Sequence, residues 1–351
     1  MVNSTFQNSL GYFGSIRADA LERLIYVVGF ARGGTSVFRD ALDIHDQILM
    51  LPEMTHFLNQ VWRYRSKVHQ RLLRQVFRLP SFYREEAVLA GLPEDRRYLL
   101  QRHIDQALSG RDLKRMWQIY PLIYALDPGN HKKGDGILAW GDKANDFHAV
   151  EDAAGSFPEG KFIMLLRDPR SVGLSQAKRA VLKETRRQGS GVNDLKLVEA
   201  CVSWRNMAQR MLVFAKRHRE RTMLVRFEDF LAEPEATLNR VFAFTVGLPL
   251  EVGLLRERLG RLTYGATNDP SEKGAGLSTR SLDRWKTLLT EKQVALVAGI
   301  VGPTAKKAGY ELSPSGKRAS LSSLLENTPT IKQKILLLLK IFYLQVREAC
   351  L

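Results

Sequence analysis

The chain has 351 residues and a formal net charge of +16, an excess that predicts an anionic partner, and no aromatic-interleaved basic motif marks that partner as nucleic acid. Its apolar fraction of 44% and charged fraction of 26% exclude a disordered or fibrous chain and fit one large α/β domain or two modest ones. Two cysteines, Cys201 and Cys350, exclude a disulfide framework and a CxxC metal site, and they fit a reducing compartment.

The opening MVNSTFQNSLGYFGSIRADALERL has no basic start followed by an apolar core, so no secretory signal is expected. LIYVVGF (24–30) reads as a buried strand that runs into a glycine turn, and the turn opens into a helix. Helix-period patterns such as HFLNQVWRYRSKVHQRLLRQVF (56–77) then fill a helical insertion of about residues 56–130. GILAWGD (136–142), KFIMLLRD (161–168) and RTMLVRFED (221–229) read as three more buried strands, separated by helical stretches. Strands alternating with helices predict a central parallel sheet covered on both faces, with ligands bound beyond the carboxyl ends of the strands. RRQGSGVND (186–194) is expected to be a loop between two helices, and LTYGATNDPSEKGAGLSTRSLDRW (262–285) a long polar loop. SPSGKRASLSSL (313–324) reads as a linker to an apolar C-terminal helix within 332–351, which is short for a membrane span and suits docking on the body or a partner, with peripheral contact to a membrane surface the alternative. The expected organisation is a domain over 1–312 followed by linker and helix over 313–351.

The glycine turn carries the chemistry. GFARGGTS has the glycine spacing of a Walker A phosphate loop, from Gly29 to Gly34. Backbone N–H groups of such a turn, with the N-terminus of the following helix, cradle an oxyanion. In NTPases a lysine after the last glycine reaches the β- and γ-phosphates, and the next hydroxyl holds Mg²⁺. Here Thr35 stands at the lysine position, Ser36 follows it, and the cation is Arg32, inside the loop. A loop of this kind suits an anion with no γ-phosphate and no required metal.

GFARGGTS resembles the 5′-phosphosulfate loop of the sulfotransferases, G-x-x-[RK]-[SG]-G-[TS]-[TS]. A second motif agrees: KFIMLLRDPRSVGLSQAKR (161–179) is a strand ending in Arg167 with Ser175 eight residues on, similar to that family's 3′-phosphate site. The resemblance implies a P-loop-like three-layer α/β domain that uses 3′-phosphoadenosine 5′-phosphosulfate (PAPS), with 3′,5′-adenosine bisphosphate as product and no metal. It implies nucleotide contacts from Arg32, Gly33, Gly34, Thr35, Ser36, Arg167 and Ser175; Arg179, one turn beyond Ser175, is a candidate third phosphate contact by its position.

LDIHDQILMLPEMTHF (42–57) is similar to a segment of the tyrosylprotein sulfotransferases in which a catalytic glutamate follows the loop helix. The resemblance places the general base at Glu53, with His56 the alternative; His45 is expected to pack or cap. Lys143, expected just after the second strand, stands where related enzymes stabilise the leaving group. LVRFEDFLAEPEATLNRVF (224–242) resembles the family's Y-E-D-L…P segment, with Phe227 in place of tyrosine. In the late polar loop Lys273, Gly274 and Ser278 are candidate phosphate contacts, and Trp285 is expected to anchor by packing.

The sequence thus reads as a cytoplasmic PAPS-dependent sulfotransferase acting on a hydroxyl or amine of a glycan, lipid, peptide or small hydroxylated acceptor. Its rivals are a P-loop kinase or NTPase and a basic polyanion-binding adaptor without catalysis.

Overall fold

A computed structural model describes residues 16–51, 94, 98, 102, 106–107, 112–126, 136–184, 192–262, 277 and 279–312. Five strands form one sheet: β1 (Leu24–Gly29), β2 (Ile48–Met50), β3 (Ala139–Ala144), β4 (Lys161–Leu166) and β5 (Thr222–Arg226). Their spatial order is β2-β3-β1-β4-β5, and every pairing is parallel. All carboxyl ends therefore open on one edge, with β1 central.

β1 is buried along its whole length, as a central parallel strand covered on both faces must be. Its side chains divide with period two. Leu24, Tyr26 and Val28 enter one core with Phe162, Met164, Trp140 and the helix Asp194–Arg217. Ile25 and Val27 enter the other, with Ile163, Leu165 and residues Phe38, Ala41 and Leu42 of the helix Thr35–Asp43. The helices Pro169–Glu184 and Glu291–Lys307 cover the first face.

Three boundaries differ from the sequence reading. The strand expected at 136–142 runs from Ala139 to Ala144, so Lys143 lies inside β3 rather than after it. The strand expected to reach 229 ends at Arg226, and Phe227–Ala232 is helical because Phe227, Phe230 and Leu231 share one buried face at helical spacing. The end of the polar loop is the helix Arg280–Leu288. β2 is a strand that the sequence reading lacked. Of the expected insertion, Leu113–Leu126 is helical, as are positions 94, 98, 102, 106 and 107. Apart from Asp112, the rest of 56–130, most of the 186–194 loop, and the linker and C-terminal helix lie outside the described residues. Among the described residues no helix is long and apolar enough to cross a membrane.

Candidate active site

The loop between β1 and the helix Thr35–Asp43 is shaped by two backbone conformations. Arg32 has φ 72°, the sole non-glycine at positive φ among the described residues. A non-glycine residue held there stores roughly 1–3 kcal/mol of strain, which the surroundings must impose. Gly34 has φ 91° and caps the helix. A Cβ on Gly34 would stand 2.2 Å from Cε2 of Phe227, so both the dihedral and the ring require glycine there. Gly33 closes the turn by donating its N–H to the Phe30 carbonyl at 2.7 Å. The helix then starts with Phe38 donating to the Gly34 carbonyl at 3.0 Å. Its first-turn N–H groups, which have no intrahelical acceptors, sit at the loop mouth.

The hydroxyls of the next two residues are directed inward. Thr35, 3% exposed, donates Oγ1 to Asn145 Oδ1 at 2.8 Å, so its side chain ties the loop to the segment after β3. Ser36 Oγ accepts from Lys143 Nζ at 2.9 Å. Lys143 is 2% exposed. It lies on the same face of β3 as Ala139, the face on which the helix Thr35–Asp43 packs, and this is why it reaches that helix. The ammonium thus occupies the hydroxyl that an NTPase loop would give to Mg²⁺.

Two segments more than a hundred residues apart meet around Arg32. Its Nε donates to Ser175 Oγ at 3.0 Å. Its carbonyl accepts from Arg167 Nη1 at 3.1 Å. The preceding carbonyl, of Ala31, accepts from Gln176 Nε2 at 2.8 Å. The strained loop is therefore held by the strand-end arginine and by two residues of the helix Pro169–Glu184. Gln176 escaped the sequence reading; its one signal was adjacency to Ser175.

Arg167 lies with its guanidinium carbon 4.8 Å from the centroid of Phe227. Burial pulls its pKa below the usual guanidinium range, the Glu228 carboxylate pushes back, and Arg32 adds to the lowering. A guanidinium stays protonated through such opposing effects, so the site presents two adjacent fixed positive charges. Arg170, by contrast, is engaged within the fold. It grips Asp168 with Nε and Nη2 at 3.0 and 2.6 Å, and it stacks 3.8 Å over Trp285 of the helix Arg280–Leu288. Ser171 Oγ donates to the Leu282 carbonyl of the same helix at 2.9 Å.

His45 is a packed residue: Nδ1 accepts from Gln47 N–H at 3.1 Å and Nε2 meets the Leu248 carbonyl at 2.8 Å. Glu53, His56, Lys273, Gly274 and Ser278 lie outside the described residues, as does the side chain of Arg179. The segment that carries Glu53 leaves the carboxyl end of β2, where Leu51 N–H donates to the Gly141 carbonyl at 2.7 Å. β2 stands two strands from β1, roughly 10 Å along the same edge. Among the described residues no group of three His, Cys, Asp or Glu could hold a metal ion.

The family model of the sulfotransferase family matches residues 25–251, well over half of the chain. The sulfotransferase domain from the Synechococcus PCC 7002 olefin synthase aligns with a TM-score of 0.53 and 16% identity, over 83% of this chain and 95% of that one. The sulfotransferase domain from the curacin biosynthetic pathway aligns with a TM-score of 0.50 and 17% identity, over 83% and 98%. These likenesses show a shared fold; no curated protein matches. With a glycine turn between strand and helix, a parallel five-stranded sheet and a family match that spans Arg32, Arg167 and Ser175, the chain belongs to the sulfotransferase family.

Proposed function

We propose that the protein transfers the sulfuryl group of PAPS to a hydroxyl or amine of an acceptor, a glycoconjugate or other hydroxylated metabolite. The observation that supports this most is the meeting of Arg32, Arg167 and Ser175 at one point of the sheet edge. The loop residues Arg32, Gly33, Gly34, Thr35 and Ser36 would hold the 5′-phosphosulfate, and Arg167 and Ser175 the 3′-phosphate. Arg179, Lys273 and Ser278 are proposed as further phosphate contacts.

The donor supplies a sulfuryl group on a good leaving group, and the chain supplies position and charge. Glu53, with His56 the alternative, takes the proton of the acceptor as its oxygen or nitrogen bonds to sulfur. The bond from sulfur to the bridging oxygen breaks, and 3′,5′-adenosine bisphosphate departs. Arg32, Lys143 and the first-turn N–H groups stabilise the charge that gathers on the leaving oxygen. Lys143 on Ser36 is the observation against a kinase or NTPase reading, because it places a cation of the chain's own at the hydroxyl a metal would need.

A thermal-shift competition tests the proposal. At a hundredfold excess over its Kd, 3′,5′-adenosine bisphosphate should stabilise the protein by about 2.7 kcal/mol without added divalent ions. Equal or greater stabilisation by ATP with Mg²⁺ would overturn the reading in favour of a kinase. Polyanion binding that survives loss of Arg167 and Ser175, with no nucleotide effect, would overturn it in favour of an adaptor.

A further inference from the structure

The peptide that joins Arg167 to Asp168 is gripped at both of its polar ends. Its carbonyl accepts from Trp204 Nε1 at 3.0 Å. Its N–H, that of Asp168, donates to Glu228 Oε1 at 2.9 Å. The second oxygen of the same carboxylate accepts from the Tyr310 hydroxyl at 2.8 Å. Tyr310 is 3% exposed, and its ring also meets Trp204 edge-on, with centroids 6.3 Å apart. One side chain therefore braces both grips on the peptide that aims Arg167.

Tyr310 reaches this place by a specific turn. The helix Glu291–Lys307 ends with Gly309 at φ 81°. Gly309 N–H donates to the Lys306 carbonyl at 3.1 Å, and Tyr310 N–H to the Ala305 carbonyl at 2.9 Å. This pair of reversed bonds is the Schellman closure, which turns the chain back across the helix end. The turn delivers Tyr310 to Glu228, with the Arg226 guanidinium carbon 4.6 Å from its ring centroid.

We infer that Tyr310, acting through Glu228 and alongside Trp204, is a positioning residue that fixes Arg167 for the 3′-phosphate of the nucleotide. The inference rests on the donor reading above. A hydroxyl, a carboxylate and an indole, all buried or partly buried, are spent on one peptide group, and that group carries the arginine of the second anion motif. A guanidinium held in this way loses little freedom when it meets a phosphate, so its contribution falls on binding.

The test is calorimetric titration of the full chain with two nucleotides, 3′,5′-adenosine bisphosphate and adenosine 5′-monophosphate. The ratio of the two affinities isolates the 3′-phosphate. Tyr310→Phe should lower that ratio about fivefold, with the monophosphate affinity nearly unchanged, since one hydrogen bond to a charged group is lost. A merely structural role would weaken both nucleotides together, and that result, or an unchanged ratio, overturns the inference. Glu228→Gln can still accept from Asp168 and pair with Tyr310, so it should keep the ratio within about twofold of the parent, while Glu228→Ala should lose it. A glutamine variant as weak as the alanine variant overturns the hydrogen-bonded brace. Equal affinity of the unmodified protein for the two nucleotides would instead overturn the donor reading, and this inference with it.

Discussion

The two cationic grips of the site are built by opposite means. Arg32 sits in a left-handed backbone conformation inside a tight loop, and its position is imposed by carbonyl contacts from Arg167 and Gln176. Arg167 leaves the end of a buried strand, and its position is fixed by side chains that arrive from two other elements, the helices Asp194–Arg217 and Phe227–Ala232. The first grip stores strain and the second stores packing. Strain is a feature of groups that act on the reacting centre, whereas packing suits a group that only holds.

This contrast can be broken at its base with Gly34→Ala. The new methyl would combine an unfavourable φ with a collision against Phe227, and stability should fall by about 2–4 kcal/mol with turnover lost. Urea midpoints and an activity assay check it, and a variant as stable and active as its parent would show that the loop does not depend on this turn.

Arg32→Gly separates strain from function. The glycine relieves the left-handed conformation, so the variant should be at least as stable as the parent, while kcat falls roughly 10²-fold through loss of charge at the leaving oxygen. A drop in the denaturation midpoint with kcat retained would reverse the assignment.

Arg167→Lys sharpens the other side. A point charge cannot reproduce the planar fork, so KM for the donor should rise about tenfold with kcat changed far less. A fall confined to kcat would place Arg167 at the reacting end instead.

The smallest expected effect concerns Cys201. Burial pushes its thiol up from 9.0 to about 12. The folded state thus favours the neutral thiol, a contribution to stability that is present below pH 9.0 and fades as pH rises toward about 12. In a Cys350→Ser background, folded protein at pH 8 should resist thiol reagents and become labelled on unfolding. Rapid labelling of the native state would contradict the buried placement.

The two segments that meet at Arg32 could be picked out in the sequence because each is local: a turn between strand and helix, and an arginine and serine eight residues apart. The braces could not. Trp204 and Glu228 reach Arg167 and its neighbour across 37 and 60 residues of chain, and Tyr310 reaches Glu228 across 82, and no spacing rule carries such contacts. The sequence reading ends this strand at Asp142 and leaves Lys143 outside it, whereas β3 buries both charged residues. The fold accommodates them with partners: Lys143 N–H donates to Asp142 Oδ1 at 2.8 Å, and Nζ to Ser36. β2 has three residues, too few for a periodic signal. Phe227 lacks the hydroxyl of the tyrosine it replaces in its motif, yet its ring touches both Arg167 and the space beside Gly34.

That ring has a further consequence. The same benzene face and edge that exclude a methyl from Gly34 also lie under the Arg167 guanidinium, so an incompressible aromatic disc gauges how far the loop stands from the strand-end cation. On the proposed reading, the spacing of the two phosphate contacts follows from the place of this one ring.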